Sequence, residues 1–325
     1  MFPIRPYRST GTLDSASGAA AAAIKARAAE WEVELIETPE SLTMLVWGCA
    51  LSLIPEGHSA RLELSAPEKR LIGTLQDTAT TLLDSLGVAV RWDRVDEGAL
   101  APGLSLLRVA RIWQRTPGFI RVRLAGEEAA RFGQGGLHFR LLLPPPGRAP
   151  QWPRVAANGR TLWPEGEDAP HRAVYTTAAQ QADWLEFDIF RHAGSPTCDW
   201  ADRARPGETA GIIGPGGGGC PEASRLWLFG DETALPAIAR TLTEAPGEVR
   251  AVLRCAPEDM ADLAPDPRVR RCDDLLAALD GADFGAPEDR HVWFAGPAAE
   301  AREARRRLVA RGLGKREFTA AAYWG

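Results

Sequence analysis

The stretch LWLFGDETALPAIA, residues 226–239, decides the fold. Four apolar residues, Leu226–Phe229, make a run too short for a helix and polar on neither face, as in a strand covered on both sides. It stops at Gly230 and passes through Asp231, Glu232 and Thr233 into a helix carried by Ile238 and Leu242, with Thr233 placed to cap or to bind. The same grammar then repeats. Strands are expected at Glu248–Leu253, His291–Ala295 and Glu317–Trp324, with helices at Asp273–Ala278 and about 298–312. Strands alternating with helices imply a parallel sheet covered on both faces. Ligands of such sheets sit beyond the carboxyl ends of the strands, here Gly230–Thr233 and Gly296-Pro297.

Upstream the period becomes that of β-structure. Leu104–Trp113, Phe119–Leu124, His138–Leu143, Val174–Thr177 and Trp184–His192 read as strands separated by turn residues, which points to a closed antiparallel barrel. Residues 144–171, rich in Pro and Gly, are expected to form a long surface loop, functional or mobile. Gly214-Pro-Gly-Gly-Gly-Gly reads as a hinge whose bare backbone can approach a ligand. The polar joint at 96–103 sets off residues 1–98 as a small α+β unit. Within it, helices are expected at Ala19–Trp31, capped by Asp14 or Ser15, and after Ser65-Ala-Pro-Glu. The second carries an apolar stripe of Leu71, Leu75, Ala79, Leu82 and Leu86.

The whole is a multidomain α/β chain: a small α+β domain of unknown role (1–98), an antiparallel barrel (104–222) and a parallel α/β lobe (223–325). A barrel followed by a nucleotide-type lobe is the general plan of flavin–nicotinamide reductases. The net charge of −5 argues against broad nucleic-acid affinity, and no stretch approaches the roughly 20 apolar residues of a membrane span. Five cysteines in no ligand spacing suggest reduced thiols, no metal site and a cytoplasmic protein. No acid–base pair stands out as catalytic.

Several motifs in order resemble the siderophore-interacting protein family of ferric-siderophore reductases, within the ferredoxin-reductase superfamily. Val174-Tyr175-Thr176 is similar to the flavin-binding Arg-x-Tyr-Thr motif. His192-Ala-Gly-Ser195-Pro196-Thr197-Cys198-Asp-Trp-Ala is similar to the phosphate-binding turn, and Gly214-Pro-Gly216-Gly follows. Gly230-Asp231-Glu232-Thr233-Ala-Leu-Pro is the most specific match, and the ending Tyr323-Trp324-Gly resembles the family terminus. Residues 1–98 are similar to a small domain sometimes fused ahead of these reductases. The resemblance implies FAD in the barrel, held through Arg172, Tyr175, Thr176, His192, Ser195, Pro196, Thr197 and Cys198, with Gly214 and Gly216 in contact near the nicotinamide. It implies NADPH or NADH at Gly230, Asp231, Glu232 and Thr233, aromatic cover from Tyr323 and Trp324, and a ferric siderophore as partner. The sequence departs from the motif at Ala173 and Ala178, where the family has arginine; Arg172 is displaced by one residue. Ferric-siderophore reduction is the expected activity. The alternatives are another electron acceptor, or flavin or chelate binding without turnover. Arg254, beyond the second strand of the lobe, reads either as a solvated arginine or as a contact to an adenosine 2′-phosphate.

Overall fold

The computed structural model describes residues 4–15, 17–285 and 289–325, so Ala16, between the proposed caps and the first helix, lies outside the described residues. The chain divides into two compact units. One comprises residues up to Leu104 together with Pro144–Pro170; the other comprises Ser105–Leu143 and His171–Gly325.

In the first unit the elements run β1 (Tyr7–Leu13), α1 (Ser17–Trp31), β2 (Glu34–Glu37), β3 (Leu42–Val46), β4 (Cys49–Glu56), β5 (Ser59–Ala66), α2 (Lys69–Asp84) and β6 (Arg91–Trp92). They build an antiparallel sheet of order β2-β3-β4-β5-β1-β6. Alternation places Met44, Leu53, Leu62 and Leu64 on one face, against Ile24 of α1 and Leu75, Ala79 and Leu83 of α2. Two local expectations fail. Ser65 caps nothing, because it is paired with Ala50 inside β5, and α2 begins three residues later with Glu68 as its N-cap. Leu86 lies past the helix end and is exposed.

Residues 144–170 are not a free loop. They form a short hairpin of β10 (Arg154–Val155) and β11 (Thr161–Leu162), numbered after the three strands of residues 104–143, and fold with the first unit. Asp77 of α2 accepts the Thr161 N–H at 2.7 Å, the Thr80 hydroxyl donates to the Asn158 carbonyl at 3.3 Å, and Arg160 pairs with Asp84. Polar composition read as solvent exposure; the polar groups are spent on α2 instead.

The second unit opens with β7 (Leu104–Thr116), β8 (Phe119–Ala125) and β9 (His138–Leu143). It continues through β12 (His171–Thr176), β13 (Ala179–Gln180), β14 (Trp184–Phe190), α3 (Pro196–Arg203) and β15 (Thr209–Gly216). The antiparallel order is β12-β9-β15-β7-β8-β14-β13. Only two residues separate β12 at one edge from β13 at the other, so the chain itself closes the sheet into a barrel. Tyr175 on β12 meets Phe187 on β14 with ring centroids 5.1 Å apart across that closure. Outside the barrel, Arg121 stands opposite Asp188 and Arg123 opposite Glu186 in register. The Arg121 guanidinium grips Asp188 through two bonds of 2.6 and 2.7 Å, and Arg115 adds a third at 2.6 Å. The glycine run is not a hinge where it begins: Gly214 and Gly216 belong to β15, an interior strand between β9 and β7.

The lobe is β16 (Arg225–Asp231), α4 (Leu235–Glu244), β17 (Glu248–Arg254), β18 (Val269–Arg271), α5 (Leu275–Asp280), β19 (Arg290–Pro297), α6 (Ala298–Ala310) and β20 (Phe318–Trp324). All five strands are parallel, in the order β18-β17-β16-β19-β20. Leu226 and Leu228 pack toward α4, while Trp227 and Phe229 pack toward α5 and α6. The run that opens the sequence reading is apolar because both of its faces are covered. The lobe is tied to the barrel through Asp259, which is buried and accepts from the Thr116 hydroxyl and the Gly118 N–H, both at 2.7 Å.

Candidate functional site at the strand-order switch

Strand order reverses direction between β16 and β19, and the carboxyl ends of these strands frame the crevice where ligands of open α/β sheets bind. Gly230 is required there by packing, since a Cβ would lie 2.6 Å from the Ala234 Cβ and 2.8 Å from Ile238 Cδ1. Asp231 follows and is fully buried. One of its oxygens accepts from the Thr233 N–H at 3.0 Å and the Thr233 hydroxyl at 2.6 Å; the other accepts from Trp324 Nε1 at 2.7 Å. The cap is thus Asp231, with Thr233 as its donor rather than the cap itself.

β20 brings the last aromatic residues to the same place. Ala322 pairs with Gly296 and Trp324 with Pro297, so Tyr323 is an extra residue in the ladder, and such a bulge re-aims a side chain. The Tyr323 hydroxyl lies 3.1 Å from His138 Nε2 at the start of β9, and His138 Nδ1 lies 3.1 Å from the Thr176 hydroxyl on β12. A neutral imidazole donates from one nitrogen and accepts at the other, which satisfies this relay between lobe and barrel. Burial, and then the Arg240 guanidinium, push the His138 pKa down to about 4. Burial also pushes the Tyr323 hydroxyl upward, reinforced by Asp231.

The pH consequence has a definite sign. Above about pH 6.5 the imidazole is neutral both folded and unfolded and contributes nothing. Between 6.5 and 4 the unfolded chain takes up a proton that the folded one refuses, so stability falls as pH falls across that window, by up to about 3 kcal/mol. His138→Gln should flatten this part of a urea-denaturation pH profile. An unchanged slope between pH 6.5 and 4 would show that His138 does not cause it.

On β12 the side chains alternate. His171, Ala173 and Tyr175 turn one way, Arg172, Val174 and Thr176 the other. The one-residue displacement of the arginine therefore separates it from Tyr175: Arg172 shares its face with Thr176. Tyr175 is half-buried against the barrel core, and its hydroxyl bonds the Thr197 side chain; burial pushes its pKa up to about 12. His171 also reaches the Thr197 hydroxyl, at 3.1 Å.

Ser195 is the N-cap of α3 and accepts from the Cys198 N–H at 3.2 Å; Pro196 occupies the first turn. Cys198 is buried with its thiol toward the Phe190 carbonyl. His192 is exposed and bonds only its neighbour, the Ala193 carbonyl, among the described contacts. Gly216 pairs with His138, and a Cβ on it would meet nothing within 4 Å. The structure thus gathers Thr176, Gly216 and Tyr323 around His138, with the Asp231–Trp324 pair on the far side of Tyr323 in the chain. It sets Tyr175, Ser195, Thr197 and Cys198 together at the α3 N-terminus, and leaves His192 outside both groups. Sequence reasoning missed His138, whose strand was read but whose partner stands 185 positions away.

These surroundings fit a flavin. Val174 is 60% exposed beside Thr176, and Trp324 is 54% exposed beside the crevice, so bare apolar and aromatic surface lies next to the Thr176 and Tyr323 hydroxyls. A planar ring with a polar edge asks for that combination. The α3 N-terminus, approached through Gly194 at φ +75°, keeps the Thr197 N–H and the positive end of the helix for a phosphate, since Pro196 has no N–H and Ser195 takes that of Cys198.

Comparison with known proteins agrees. The family of the siderophore-interacting FAD-binding domain matches residues 108–219, and that of the siderophore-interacting protein matches residues 223–325. The ferric vibriobactin reductase ViuB of Vibrio cholerae is 28% identical over 148 residues, 44% of this chain and 55% of that protein. The chain thus spans about half the length of the curated relatives it matches. A siderophore utilization protein from T. fusca is 28% identical with a TM-score of 0.55, over 71% of this chain and 95% of the other. The siderophore-interacting protein SipS from Aeromonas hydrophila is 26% identical with a TM-score of 0.55, over 68% and 91%. With both family domains present in tandem, from the barrel to the end of the lobe, the chain belongs to the siderophore-interacting protein family.

Proposed function

We propose that this chain is an NAD(P)H-dependent, FAD-containing reductase that converts Fe(III) in a ferric siderophore to Fe(II). The carrying observation is the meeting of an FAD-binding-type barrel and a parallel lobe at the Tyr323–His138–Thr176 relay, directly beside the crevice at the strand-order switch. We assign FAD to residues 104–222 and the nicotinamide nucleotide to 223–325, with residues 1–98 as an accessory domain. Among the assigned contacts, Thr176, Gly216 and Tyr323 border the flavin ring. Ser195, Thr197 and the α3 N-terminus, with Arg172 from the neighbouring strand, serve its phosphates. Gly230, Asp231, Glu232 and Thr233 border the nucleotide.

FAD, when bound, supplies the chemistry that amino acids lack, taking two electrons with a hydride and passing them on singly. The protein's part is position. Asp231 fixes the turn into α4 and anchors the Trp324 ring at the mouth of the crevice. The Tyr323 and Thr176 hydroxyls, positioned by a His138 that burial keeps neutral, can offer hydrogen bonds without a charge beside a ring whose own charge changes. Fe(III) prefers hard oxygen ligands, and one added electron loosens that cage so that Fe(II) leaves. No side-chain acid–base pair is needed for this step.

No helix among the described residues is long and apolar enough to cross a membrane. The free thiols of Cys49, Cys198, Cys220, Cys255 and Cys272 suit a reducing compartment, and we place the protein in the cytoplasm.

The test is anaerobic mixing of the FAD-loaded protein with NADH or NADPH, followed by a ferric catecholate chelate. The flavin absorbance should bleach with at least one nucleotide and return on adding the chelate, with Fe(II) trapped by a chromogenic ligand. Absorbance unmoved by both nucleotides would remove the reductase reading.

A further inference from the structure

Which nucleotide the crevice takes can be argued from its rim. In strand order β17 lies beside β16, and β16 beside β19. Arg254, the last residue of β17, is level with Asp231 of β16 in register. Its guanidinium reaches past the end of β16 to Glu300, in the first turn of α6 after β19, and makes two bonds of 2.8 and 3.0 Å to that carboxylate. The ion pair therefore lies over the strand ends that flank the switch, with both side chains about a quarter exposed.

The cation at the end of the second strand is the natural receptor for an adenosine 2′-phosphate. Here one guanidinium nitrogen, Nη1, is already shared between both oxygens of the Glu300 carboxylate, a charged partner that a 2′-phosphate would have to displace. Arg270, on the edge strand, shares the neighbourhood of the Cys272 thiol with Arg254, but the charges on the β16 side of Arg254 are negative. Asp231 is buried beside Arg254, and Glu232 follows it; burial, and then Asp231, push the Glu232 carboxyl above the usual carboxylate range. Both helix starts at the crevice carry the protein's own carboxylates, Asp231 and Glu232 before α4 and Glu300 in α6. Their dipoles are thus partly answered before any ligand arrives. Arg271, at the end of the edge strand β18, donates to the Cys255 carbonyl at 2.8 Å. A ribose hydroxyl can donate to such carboxylates, whereas a 2′-phosphate brings about two further negative charges among them.

We propose that the crevice is built for NADH and rejects NADPH, with the Arg254–Glu300 pair and the Asp231 and Glu232 carboxylates as the specificity device. This rests on the reductase reading and adds to it the identity of the electron donor. The rejection is a repulsive element built into the rim, the usual way in which two ligands sharing most of their contacts are told apart.

Two measurements on the full chain test it. In anaerobic stopped-flow, the second-order rate of flavin bleaching should be about tenfold or more higher with NADH than with NADPH. Glu300→Gln, which frees Arg254, should narrow that ratio by raising the NADPH rate. Calorimetric titration of the oxidised protein with 5′-AMP and with 2′,5′-ADP provides a readout that needs no turnover, and 5′-AMP should bind at least as tightly. Equal or faster bleaching by NADPH, or tighter binding of 2′,5′-ADP, overturns the proposal and leaves the reductase reading standing. Bleaching by neither nucleotide removes the reductase reading, while the titration still decides the nucleotide preference; binding of neither probe removes the proposal as well. Should Glu300→Gln fail to fold, the wild-type ratio and the titration decide alone.

Discussion

Asp188→Ala should cost the second unit about 3–5 kcal/mol, the largest single loss of stability expected from a side chain outside the apolar core. The Asp188 side chain is fully buried and is the shared acceptor for Arg115 and for both arms of Arg121. Those contacts raise the Arg121 pKa against the pull of burial, Asp188 contributing ahead of Glu186. Truncation leaves Arg121 with Glu186 at 3.2 Å and Arg115 with the exposed Asp262 at 3.4 Å, so two guanidinium groups stay desolvated and poorly paired. The readout is the urea midpoint of the transition that reports the barrel, followed by far-UV circular dichroism because a two-unit chain need not unfold in one step. A loss under about 1 kcal/mol would mean that water solvates the pair and that Asp188 is replaceable.

Asp231→Ala is expected to be the most damaging change to activity. It removes the cap of the turn into α4, worth about 1 kcal/mol, and the charge-assisted bond to Trp324, worth about 1.5–3 kcal/mol. With Trp324 unanchored at the crevice mouth, flavin reduction by NADH should fall by about tenfold or more, since misplacement near a reacting pair is costly. Trp324→Phe separates the two contributions. It keeps an aromatic ring and the cap but loses the indole N–H, and should retain most of the stability and lose part of the rate. Equal rates in wild type and Asp231→Ala would show that the anchor does not serve the reaction.

What could be read from the chain, and what could not, divides along physical lines. The lobe was legible because a strand covered on both faces must be apolar throughout, and 226–229 has no other reading. The barrel strands showed themselves by alternation. β15 did not, because Gly214 and Pro215 are poor strand formers, and a glycine backbone at φ +156° reveals itself only against its neighbours Phe139 and His138. β6 and β18, of two and three residues, carry too few side chains to show a period. At the candidate site, residues next to one another in sequence could be named from their motifs. His138 could not, since its importance comes from Tyr323, and nothing local to either residue announces the other. Arg254 was seen, but that Glu300 holds it depends on the strand order, which a single sequence does not print.

The hairpin between Arg154 and Leu162 has a consequence for biosynthesis. The first unit leaves the ribosome almost whole by residue 104, yet its last piece is made only after three long strands of the next unit have emerged. Until then Asp77 and Thr80 wait on α2 without the backbone groups they hold in the finished protein. Folding of the early part is therefore completed by a late segment, and closure of the barrel cannot precede it, because β12 is made only after the hairpin. A shortened chain beginning at Ser105 would carry this hairpin without its docking helix, so trimming the protein at that apparent boundary invites aggregation rather than a minimal reductase.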